Sequence, residues 1–525
     1  MDALFEIDLQ LPAARGSAAR ALGAQLKQAI AAGRLAPGSK LPATRQAGRL
    51  LGVSRNTAAG VYEQLVCEGY LVTRRGSGTY VAPRPAQARG AARRTAPAYA
   101  LNEFWQRPDI AGAIGFWRER SESLPAAEAG RAIELRPGLV DARLFPFETF
   151  RQMNARRLRS LERNPADYKS PQGHQGNYHL RSAITRYVAL TRAVACDSDD
   201  VLVTSGAQQA FDLLARVLVT PGRTVVAVED PGYPPLRVPF AAAGARIVPV
   251  PVDAEGLVVE RLPPDAGVVC VCPSHQYPLG VSLSPRRRQA LVEFARRRGA
   301  VLVEDDYDGE FRFEGSPLEA LRTADSADVV FYVGTFSKCM LPALRLGFVV
   351  APAWALPALI AAKNALDWHC SVPIQLAVAS FIGDGHLARH VRRMREIYRA
   401  RREHLLGLLS GELGAWLEPL PSFCGMHVAA LARTDADLDG LAQTLLARRV
   451  RLHALSRYYL GAARAGLVIG YGAADLNDIG RGMAALRAAL VSGVGRPSEP
   501  ARSAAPARQR LEPVGGRSRL QRARV

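Results

Sequence analysis

One lysine, Lys338, lies between two runs of apolar, β-branched and aromatic residues in the segment VVFYVGTFSKCMLPALRLGFVV, positions 329–350. These runs predict a strand, a loop and a second strand, with the lysine in the loop. An amine among apolar strands is costly unless a partner occupies it. One such partner is a cofactor aldehyde, which a lysine binds as a Schiff base. The alternative is a solvated loop lysine, which is the more common case for an isolated lysine.

Four more β-branched runs, at 201–204, 225–228, 268–272 and 301–303, alternate with helical patterns. This alternation predicts βαβ units over a largely parallel sheet, with the strand ends at one edge. Pyridoxal 5′-phosphate (PLP) requires a lysine, a carboxylate for its pyridinium nitrogen, phosphate donors, a ring to stack on and a donor to its phenolic oxygen. Lys338 could supply the amine and Asp305 the carboxylate. The phosphate donors could be the helix start Ser205, Gly206, Ala207 and Gln208, together with Thr335, Ser337 and Arg345. Tyr233 could be the stacking ring and Tyr307 the donor to the phenolic oxygen. Each of them alone, and His275 beside them, could be structural, but their joint occurrence at strand ends favours the cofactor.

Residues 15–82 predict three short helices followed by a hairpin, which is a winged helix-turn-helix. The first helix carries Leu22, Leu26 and Ile30 at four-residue spacing. Thr44 and Ser54 are the predicted caps of the second and third helices. Residues 70–73 and 79–81 are the predicted strands of the hairpin.

The third helix is the predicted recognition helix, and its first turn reads Ser54-Arg55-Asn56-Thr57. An arginine there can pair with guanine and an asparagine with adenine in the major groove. The other candidate DNA contacts are Arg45, Arg74, Arg75 and Gly78. Residues 15–94 carry fourteen Lys/Arg and two acids, and this local excess of +12 indicates a polyanion partner such as DNA. For charge alone, a solvated basic surface is an equally good explanation.

The segment GRLAPGSKLPATRQAGRLLGVSRNT resembles the DNA-binding domain of the GntR family. Further on, SGAQQA, EDPGYP, PSHQYPLG, EDDYDGEFRF and GTFSKCMLPALRLG resemble motifs of the MocR regulators, which join a GntR domain to a fold type I aminotransferase domain. The chain is therefore identified as a member of this subfamily over residues 1–490. The resemblance implies a winged helix-turn-helix plus an α/β PLP-dependent transferase-like domain.

The resemblance also implies roles for individual residues. Lys338 is the expected aldimine lysine and Asp305 the pyridinium partner, while Tyr233 lies on or beside the ring, Tyr307 contacts the phenolic oxygen and Arg345 holds phosphate. Tyr168, in DYKSPQGHQG, is the expected phosphate contact given by the other subunit of a head-to-tail homodimer. Arg464 is a hypothesis for the arginine with which aminotransferases bind a substrate carboxylate. Without such an arginine the effector need not be an ordinary α-amino acid.

The predicted domains are residues 15–82 for DNA binding, a basic Ala/Pro/Arg-rich linker at 83–130, an effector domain at 131–492 and a disordered Arg-rich tail at 493–525. The linker carries Phe104, Trp105, Ile110, Ile114, Phe116 and Trp117, which are too apolar for a free segment and are expected to dock on the effector domain. No apolar run is long enough for a bilayer, no signal peptide is expected, and the seven cysteines form no metal-binding pattern. These features predict a cytoplasmic protein without a metal site.

Three functions are compatible with these observations. The first is a transcription regulator that binds operator DNA and senses a small amine, amino acid or vitamer through an aldimine at Lys338, with RNA polymerase as a candidate further partner. The second is a genuine PLP-dependent aminotransferase with an appended DNA-binding domain. The third is a DNA-binding protein whose large domain serves only for dimerisation. The PLP residues favour the first two, and the specific DNA-binding motif favours the first.

Overall fold

A computed structural model of the protein describes residues 17–83, 102–117, 132–163, 165, 173–315, 318–434 and 436–492. The chain divides between Leu101 and Asn102 into two units, each with its own core. The predicted tail, most of the predicted linker and Tyr168 lie outside the described residues.

The first unit consists of three helices and a hairpin. Their bounds are α1 Ser17–Ala31, α2 Thr44–Leu50, α3 Arg55–Cys67, β1 Leu71–Arg74 and β2 Gly78–Val81. Leu22, Leu26 and Leu65 are fully buried where α1 packs on α3, because their spacing places them on one face of each helix. The three predicted helices and the hairpin are therefore confirmed.

The two predicted helix caps have different outcomes. Ser54 is the N-cap of α3, and its Oγ accepts a hydrogen bond from the Thr57 backbone N–H at 3.0 Å, as predicted. The prediction for Thr44 is wrong, since Ala43 precedes α2 as the N-cap and Thr44 is the first helical residue. An alanine cannot cap through its side chain, so this helix begins without the predicted hydrogen bond.

A short extended segment that the sequence did not predict pairs with the hairpin. The Leu41 N–H donates to Thr79 O at 2.9 Å, the Val81 N–H donates to Ser39 O at 2.9 Å, and Lys40 forms a bridge to Tyr80. The sequence predicted only a turn at residues 36–38. It did not predict the pairing, because the partner strand lies about forty residues further along the chain, beyond the reach of local sequence patterns.

The second unit is built on a sheet of eight strands in the order β4-β11-β10-β9-β8-β5-β6-β7. The strands from β10 through β6 are parallel to their neighbours, whereas β11 and β7 are antiparallel. The bounds are β4 Val201–Thr204, β5 Val225–Asp230, β6 Arg246–Asp253, β7 Gly256–Leu257, β8 Ala266–Val271, β9 Val301–Asp306, β10 Val330–Thr335 and β11 Gly347–Val350. The predicted strands and the largely parallel sheet are confirmed.

Helices and smaller strand groups surround this sheet. The helices are α4 Pro108–Ile114, α5 Phe147–Arg163, α6 Tyr178–Arg192, α7 Ala207–Leu218, α8 Pro234–Ala242, α9 Pro285–Arg298, α10 Leu356–Asp367, α11 Val372–Gly383, α12 His386–Ser410, α13 Leu438–Ala447 and α14 Leu476–Val491. A second sheet has the order β12-β13-β16-β15, with β12 Leu417–Pro419, β13 His427–Ala432, β15 His453–Ala454 and β16 Gly466–Gly470. Two short strands, β3 Ile133–Glu134 and β14 Val450–Arg451, pair in parallel.

The described linker residues 102–117 dock on the second unit. Ile110 is buried against Val238 of α8, and Phe116 is buried in an aromatic cluster, so docking is confirmed for these two side chains. The expectation is wrong for Trp105 and Ile114, which are 53% and 43% exposed. Trp105 precedes α4 and Ile114 is its last residue, and both line a solvent-open groove beside Val238 and Pro239 of α8.

Among the described residues, no helix is both long and apolar enough to cross a membrane.

Candidate cofactor pocket and DNA-binding surface

Several strands of the large sheet end at one cavity. β4, β5, β8, β9 and β10 run in the same direction, so their carboxyl ends meet at one edge, the usual position for a ligand in an open α/β sheet. The cavity has a volume of about 250 Å³. Its described lining is Gly138, Leu139, Ala207, Gln208, Phe211, Tyr233, Tyr277, Asp305, Tyr307, Thr335, Ser337, Lys338, Pro342 and Arg345. The structure thus brings together nine of the predicted cofactor residues.

Lys338 follows β10 and extends into this cavity. Its Nζ donates a hydrogen bond to the carbonyl oxygen of Gly138 at 2.5 Å, although 200 residues separate the two in sequence. Burial lowers the pKa of the Lys338 amine to about 8, while Asp308 and Asp305 oppose the shift. A larger fraction of this amine is therefore neutral, and nucleophilic, than for an exposed lysine at the same pH.

Asp305 lies near the end of β9 and is 6% exposed. Cys272 Sγ lies 3.8 Å from its Oδ2, whereas Oδ1 has no hydrogen-bond partner among the described residues. Burial, reinforced by the charge of Asp306, raises the pKa of Asp305 to about 7. A buried carboxylate oxygen that lacks a donor calls for one, and a pyridinium N–H is such a donor.

The start of α7 and the loop after β10 form an anion cradle. Residues 206–208 present the first backbone amides of α7, which have no intrahelical acceptors, whereas the Ser205 N–H already donates to Gln209 Oε1 at 2.7 Å. Arg345 donates from Nη2 to Ser205 O at 2.9 Å, and a Cβ at Gly206 would lie 3.1 Å from its guanidinium. Thr335 and Ser337 hydroxyls lie 3.0 Å apart beside them. Ser205 and Gly206 support this cradle without lining the main cavity, and Ser205 instead lines the adjacent groove.

Four aromatic rings line the cavity, and the sequence identified two of them. Tyr233 precedes α8 as its N-cap residue, and Tyr307 follows β9. Tyr277 packs edge-on against both rings, with centroid distances of 5.6 Å to Tyr233 and 5.5 Å to Tyr307. Phe211 on α7 is the fourth ring. Tyr277 stands in the PSHQYPLG motif, two residues after His275, so the motif was the available signal for it.

His275 and Arg464 do not line the cavity. His275 is buried behind Tyr307, with its Nδ1 2.9 Å from the tyrosine oxygen, so it reaches the cavity only through that side chain. Arg464 is exposed, two residues before β16, and the carboxylate-binding hypothesis for it finds no support. The turn before β16 directs this arginine outward rather than into the sheet edge where the cavity lies.

The donors and acceptors present fit PLP. Lys338 offers an amine, Asp305 a buried oxygen without a donor, Tyr307 a phenol and Arg345 a guanidinium beside a helix start. When bound, PLP supplies an aldehyde that condenses with primary amines and a ring that withdraws electrons.

The predicted DNA-contacting residues lie on the surface of the first unit. Arg45 is exposed on the first turn of α2, and Arg55 and Asn56 are exposed on the first turn of α3. Thr57 is half-buried, and its Oγ1 lies 2.8 Å from Ser54 Oγ. These two hydroxyl residues shape the helix start, while the arginine and the asparagine remain available for bases.

The hairpin carries the remaining candidates. Arg74 and Arg75 are exposed at its tip, and the Arg74 guanidinium lies 4.8 Å from the centre of the Tyr80 ring. Gly78 is exposed, and a Cβ there would lie 3.0 Å from Lys40 Cε. Lys40 is therefore a basic residue of this tip that sequence reasoning missed, because the strand pairing that places it there is non-local.

Two family models match the chain. The model for bacterial regulatory proteins of the gntR family matches residues 18–81, and the model for aminotransferase class I and II matches residues 142–462. The chain is 33% identical to the probable rhizopine catabolism regulatory protein MocR of Rhizobium meliloti, over 90% of this chain and 94% of that protein. It is 33% identical to the pyridoxine biosynthesis transcriptional regulator PdxR of Corynebacterium glutamicum, over 86% of this chain and 91% of that protein.

A solved structure is similar over the large unit. LysN, an α-aminoadipate aminotransferase of Thermus thermophilus solved with N-(5′-phosphopyridoxyl)-L-leucine, matches with a TM-score of 0.62 and 28% identity. The match covers 69% of this chain and 92% of that one.

Proposed function

Since this chain belongs to the MocR subfamily of GntR transcription regulators, we propose that it regulates transcription by sensing a small primary amine at its PLP pocket. The first unit is a GntR winged helix-turn-helix that binds operator DNA, the large unit has the aminotransferase fold, and the cofactor is PLP. One observation carries the proposal. Lys338, Asp305 and Tyr307 share a cavity in a chain whose other unit exposes a recognition helix.

Residue roles in the proposal follow from position. Lys338 holds the cofactor aldehyde, Asp305 accepts a hydrogen bond from the pyridinium N–H, Tyr307 donates to the phenolic oxygen and Arg345 anchors the phosphate. An incoming primary amine would compete with Lys338 for the aldehyde and release this lysine. The change in contacts at the strand ends is the signal to the DNA-binding unit, and such coupling typically amounts to about 1–3 kcal/mol.

The lining of the pocket supports an effector that does not require a carboxylate. Arg345 is the one arginine in the described lining, and its hydrogen bond to Ser205 O places it at the phosphate end. The remaining described lining is dominated by Phe211, Tyr233 and Tyr277 with Tyr307. Rings of this kind bind apolar or aromatic groups, whereas a carboxylate is best bound by a bidentate arginine.

Matched pairs of ligands test the sensor. We expect tyramine and phenethylamine to change the visible absorbance of the holoprotein at least as strongly as tyrosine and phenylalanine do. Operator affinity, measured by fluorescence anisotropy, should change with a half-maximal ligand concentration equal to that of the absorbance change. Lys338→Arg is the matched control, because it keeps the positive charge and loses the condensing amine. A spectral change without any change in DNA affinity for all ligands would exclude the sensor function.

We further propose a head-to-tail homodimer in which Tyr168 completes the partner's phosphate site. The test mixes subunits that carry Lys338→Ala with subunits that carry Tyr168→Phe. If each site draws Tyr168 from the other subunit, the mixed dimer has one site without either substitution and recovers PLP binding at that site. If Tyr168 acts within its own subunit, each site of the mixed dimer carries one substitution and nothing is recovered.

The three residues Lys338, Asp305 and Tyr307 also support a second candidate function, that of a working aminotransferase. Multiple turnover with an amino donor and a keto acid would establish it, whereas a spectral change limited to one equivalent of ligand supports the sensor.

A further inference from the structure

Two residues behind the cavity, Asp308 and His275, form a buried pair that no PLP role explains. His275 is 2% exposed and Asp308 is 1% exposed. His275 Nδ1 lies 3.0 Å from both carboxylate oxygens of Asp308 and 2.9 Å from the Tyr307 oxygen. An acid this deeply buried requires a charged or hydrogen-bonding partner, and His275 is the partner present.

The hydrogen-bond network assigns the protons of His275. The carboxylate of Asp308 can only accept, so Nδ1 carries a hydrogen. Ser422 Oγ donates to Cys424 O at 3.1 Å and lies 3.3 Å from His275 Nε2. Nδ1 is therefore the ring nitrogen that donates toward Asp308 and Tyr307.

The position of the ring is fixed by backbone packed against it. A Cβ at Gly425 would lie 1.9 Å from His275 Cε1, and a Cβ at Gly280 would lie 3.3 Å from Nε2. His427 packs beside the ring at a centroid distance of 4.9 Å and donates from Nε2 to Pro278 O. Burial and the neighbouring His275 hold the pKa of His427 well below its usual value, so His427 adds no positive charge beside the pair.

This arrangement determines what Tyr307 can do. The Nδ1–H shared between Asp308 and Tyr307 makes the tyrosine oxygen an acceptor on the His275 side, so its own O–H proton points elsewhere. Burial, with the charge of Asp308, keeps the pKa of Tyr307 well above its usual value, and the side chain remains a phenol. Tyr307 lines the cavity, and its hydroxyl is therefore available there as a donor.

We propose that Asp308 and His275 are positioning residues that hold Tyr307 as a hydrogen-bond donor to the phenolic oxygen of PLP; this rests on the PLP role proposed for Tyr307. A donor at that oxygen favours its deprotonated form, and it therefore tightens PLP binding and lowers the pKa of the bound chromophore.

A double-mutant cycle with the full-length chain tests the pair. Tyr307→Phe and Asp308→Asn should each weaken PLP binding roughly tenfold, the loss typical of one hydrogen bond to a charged group. Each should also raise the pKa at which the visible band titrates. Asp308→Asn should have little further effect in the Tyr307→Phe background. The matched control is Asp306→Asn, which removes a buried carboxylate that pairs instead with Arg192 and Tyr332 and whose effect should be additive.

Either of two results would overturn the inference while PLP binding through Lys338 remained intact. They are an unchanged chromophore pKa in Asp308→Asn, or effects of Asp308→Asn and Tyr307→Phe that simply add. A total absence of PLP binding by the unaltered chain would instead overturn the proposed function itself.

Two measurements on the apoprotein do not depend on the Asp308 and Tyr307 variants. Nitrogen NMR with labelled histidine, assigned through His275→Gln, should show a hydrogen on His275 Nδ1 at neutral pH, and an Nδ1 without a hydrogen would overturn the inference. His275, Asp308 and His427 lie close enough together to hold a metal ion. Metal analysis should find none in stoichiometric amount, because the first two already satisfy each other. A stoichiometric ion that a chelator removes would make them ligands instead.

Discussion

Lys338 illustrates how one contact prepares a residue for its chemistry. The Gly138 carbonyl accepts its Nζ hydrogen bond, while the surrounding sheet edge removes water from the amine. Burial, with a smaller effect from the charge of Arg345, lowers the pKa of Lys338, and the acids Asp308 and Asp305 prevent a larger decrease. The result is an amine that is partly neutral near physiological pH and held at the cavity wall.

The rate at which the apoprotein incorporates PLP should therefore rise with pH and level off above about 8, the pKa to which burial lowers Lys338. The neutral amine is the nucleophile, and its fraction saturates once the pH exceeds its pKa. Stopped-flow absorbance from pH 6 to 10 measures this rate. A model lysine, with a pKa of about 10.4, provides the control because its rate of condensation with PLP should still rise at pH 10. If the rate of PLP incorporation by the apoprotein still rose tenfold per pH unit between pH 9 and 10, the prediction would be contradicted.

Glu229 is a second buried acid near the pocket, at the carboxyl end of β5. Its Oε2 accepts from the Cys272 N–H at 3.2 Å and from Gln276 Nε2 at 3.3 Å. Burial nevertheless raises the pKa of Glu229 to about 8. This acid binds a proton more tightly in the folded than in the unfolded chain, so its contribution to stability declines as pH rises from about 4.5 toward 8.

Glu229→Gln should remove that decline. Gln keeps an oxygen for both donors and cannot ionise. The free energy of unfolding of the variant, relative to that of the unaltered chain, should therefore be higher at pH 8 than at pH 5.5. Urea unfolding followed by tryptophan fluorescence measures the difference, because all five tryptophans lie beyond residue 101 and report on the large unit. An equal difference at the two pH values would contradict a raised pKa at this site.

Two glycines inside helices of the DNA-binding unit look alike in sequence and differ in structure. A Cβ at Gly48 in α2 would lie 2.9 Å from Val53 O and 3.3 Å from the Arg55 nitrogen, so α2 approaches the backbone at the start of α3 too closely for a side chain. A Cβ at Gly60 in α3 would meet nothing within 4 Å. Gly48 is required by packing, whereas Gly60 only weakens its helix.

Gly60→Ala should stabilise α3 by about 1 kcal/mol, the difference in helix propensity. Gly48→Ala should destabilise the same unit, because backbone atoms must move to accommodate the methyl group. Amide hydrogen exchange of α3 in the full-length chain measures both effects. Faster exchange in Gly60→Ala would show that this position has a contact the structure does not record.

The strands and the polar residues at their ends were predictable because both depend on local sequence patterns. Asp305 and Lys338 each follow a run of β-branched residues, and the sheet brings such positions together. Asp308 and Ser422 were not recognised, since their contacts with His275 span 33 and 147 residues. Lys40 was missed for a similar reason, because the strand pairing that places it beside Tyr80 is non-local.

At the scale of the whole molecule, DNA is the ligand of the first unit, and two arginines of that unit should behave differently. Arg55 stands on the recognition helix, whereas Arg74 stands on the hairpin and stacks on Tyr80. A base contact provides sequence discrimination, and a phosphate contact provides affinity for any DNA.

Arg55→Ala should cost about 1–3 kcal/mol on the operator and relax the preference at one base pair. Arg74→Ala should weaken binding to operator and random DNA alike and reduce the salt slope by about 1. Anisotropy titrations at several salt concentrations, on operator and scrambled duplexes, separate the two. Equal losses on both duplexes for Arg55→Ala would argue against a base contact.

The docked segment 102–117 belongs structurally to the large unit, although it precedes the motifs of the effector domain in sequence. Phe116 lies edge-on to Tyr233, His453 and Tyr458, at centroid distances of 5.8, 5.2 and 5.4 Å. Tyr233 in turn lines the PLP cavity. The last described residues before the effector domain thus contact a pocket ring directly.

For protein engineering, this contact determines where the junction of a hybrid regulator should lie. A chimera that joins a foreign DNA-binding unit upstream of Asn102 would keep the contacts of Phe116 with Tyr233, His453 and Tyr458. A junction placed after residue 117 would replace Phe116 with the foreign chain's residue and change what packs against Tyr233. Ligand preference in such hybrids should therefore follow the origin of residues 102–117 as well as that of the domain behind them.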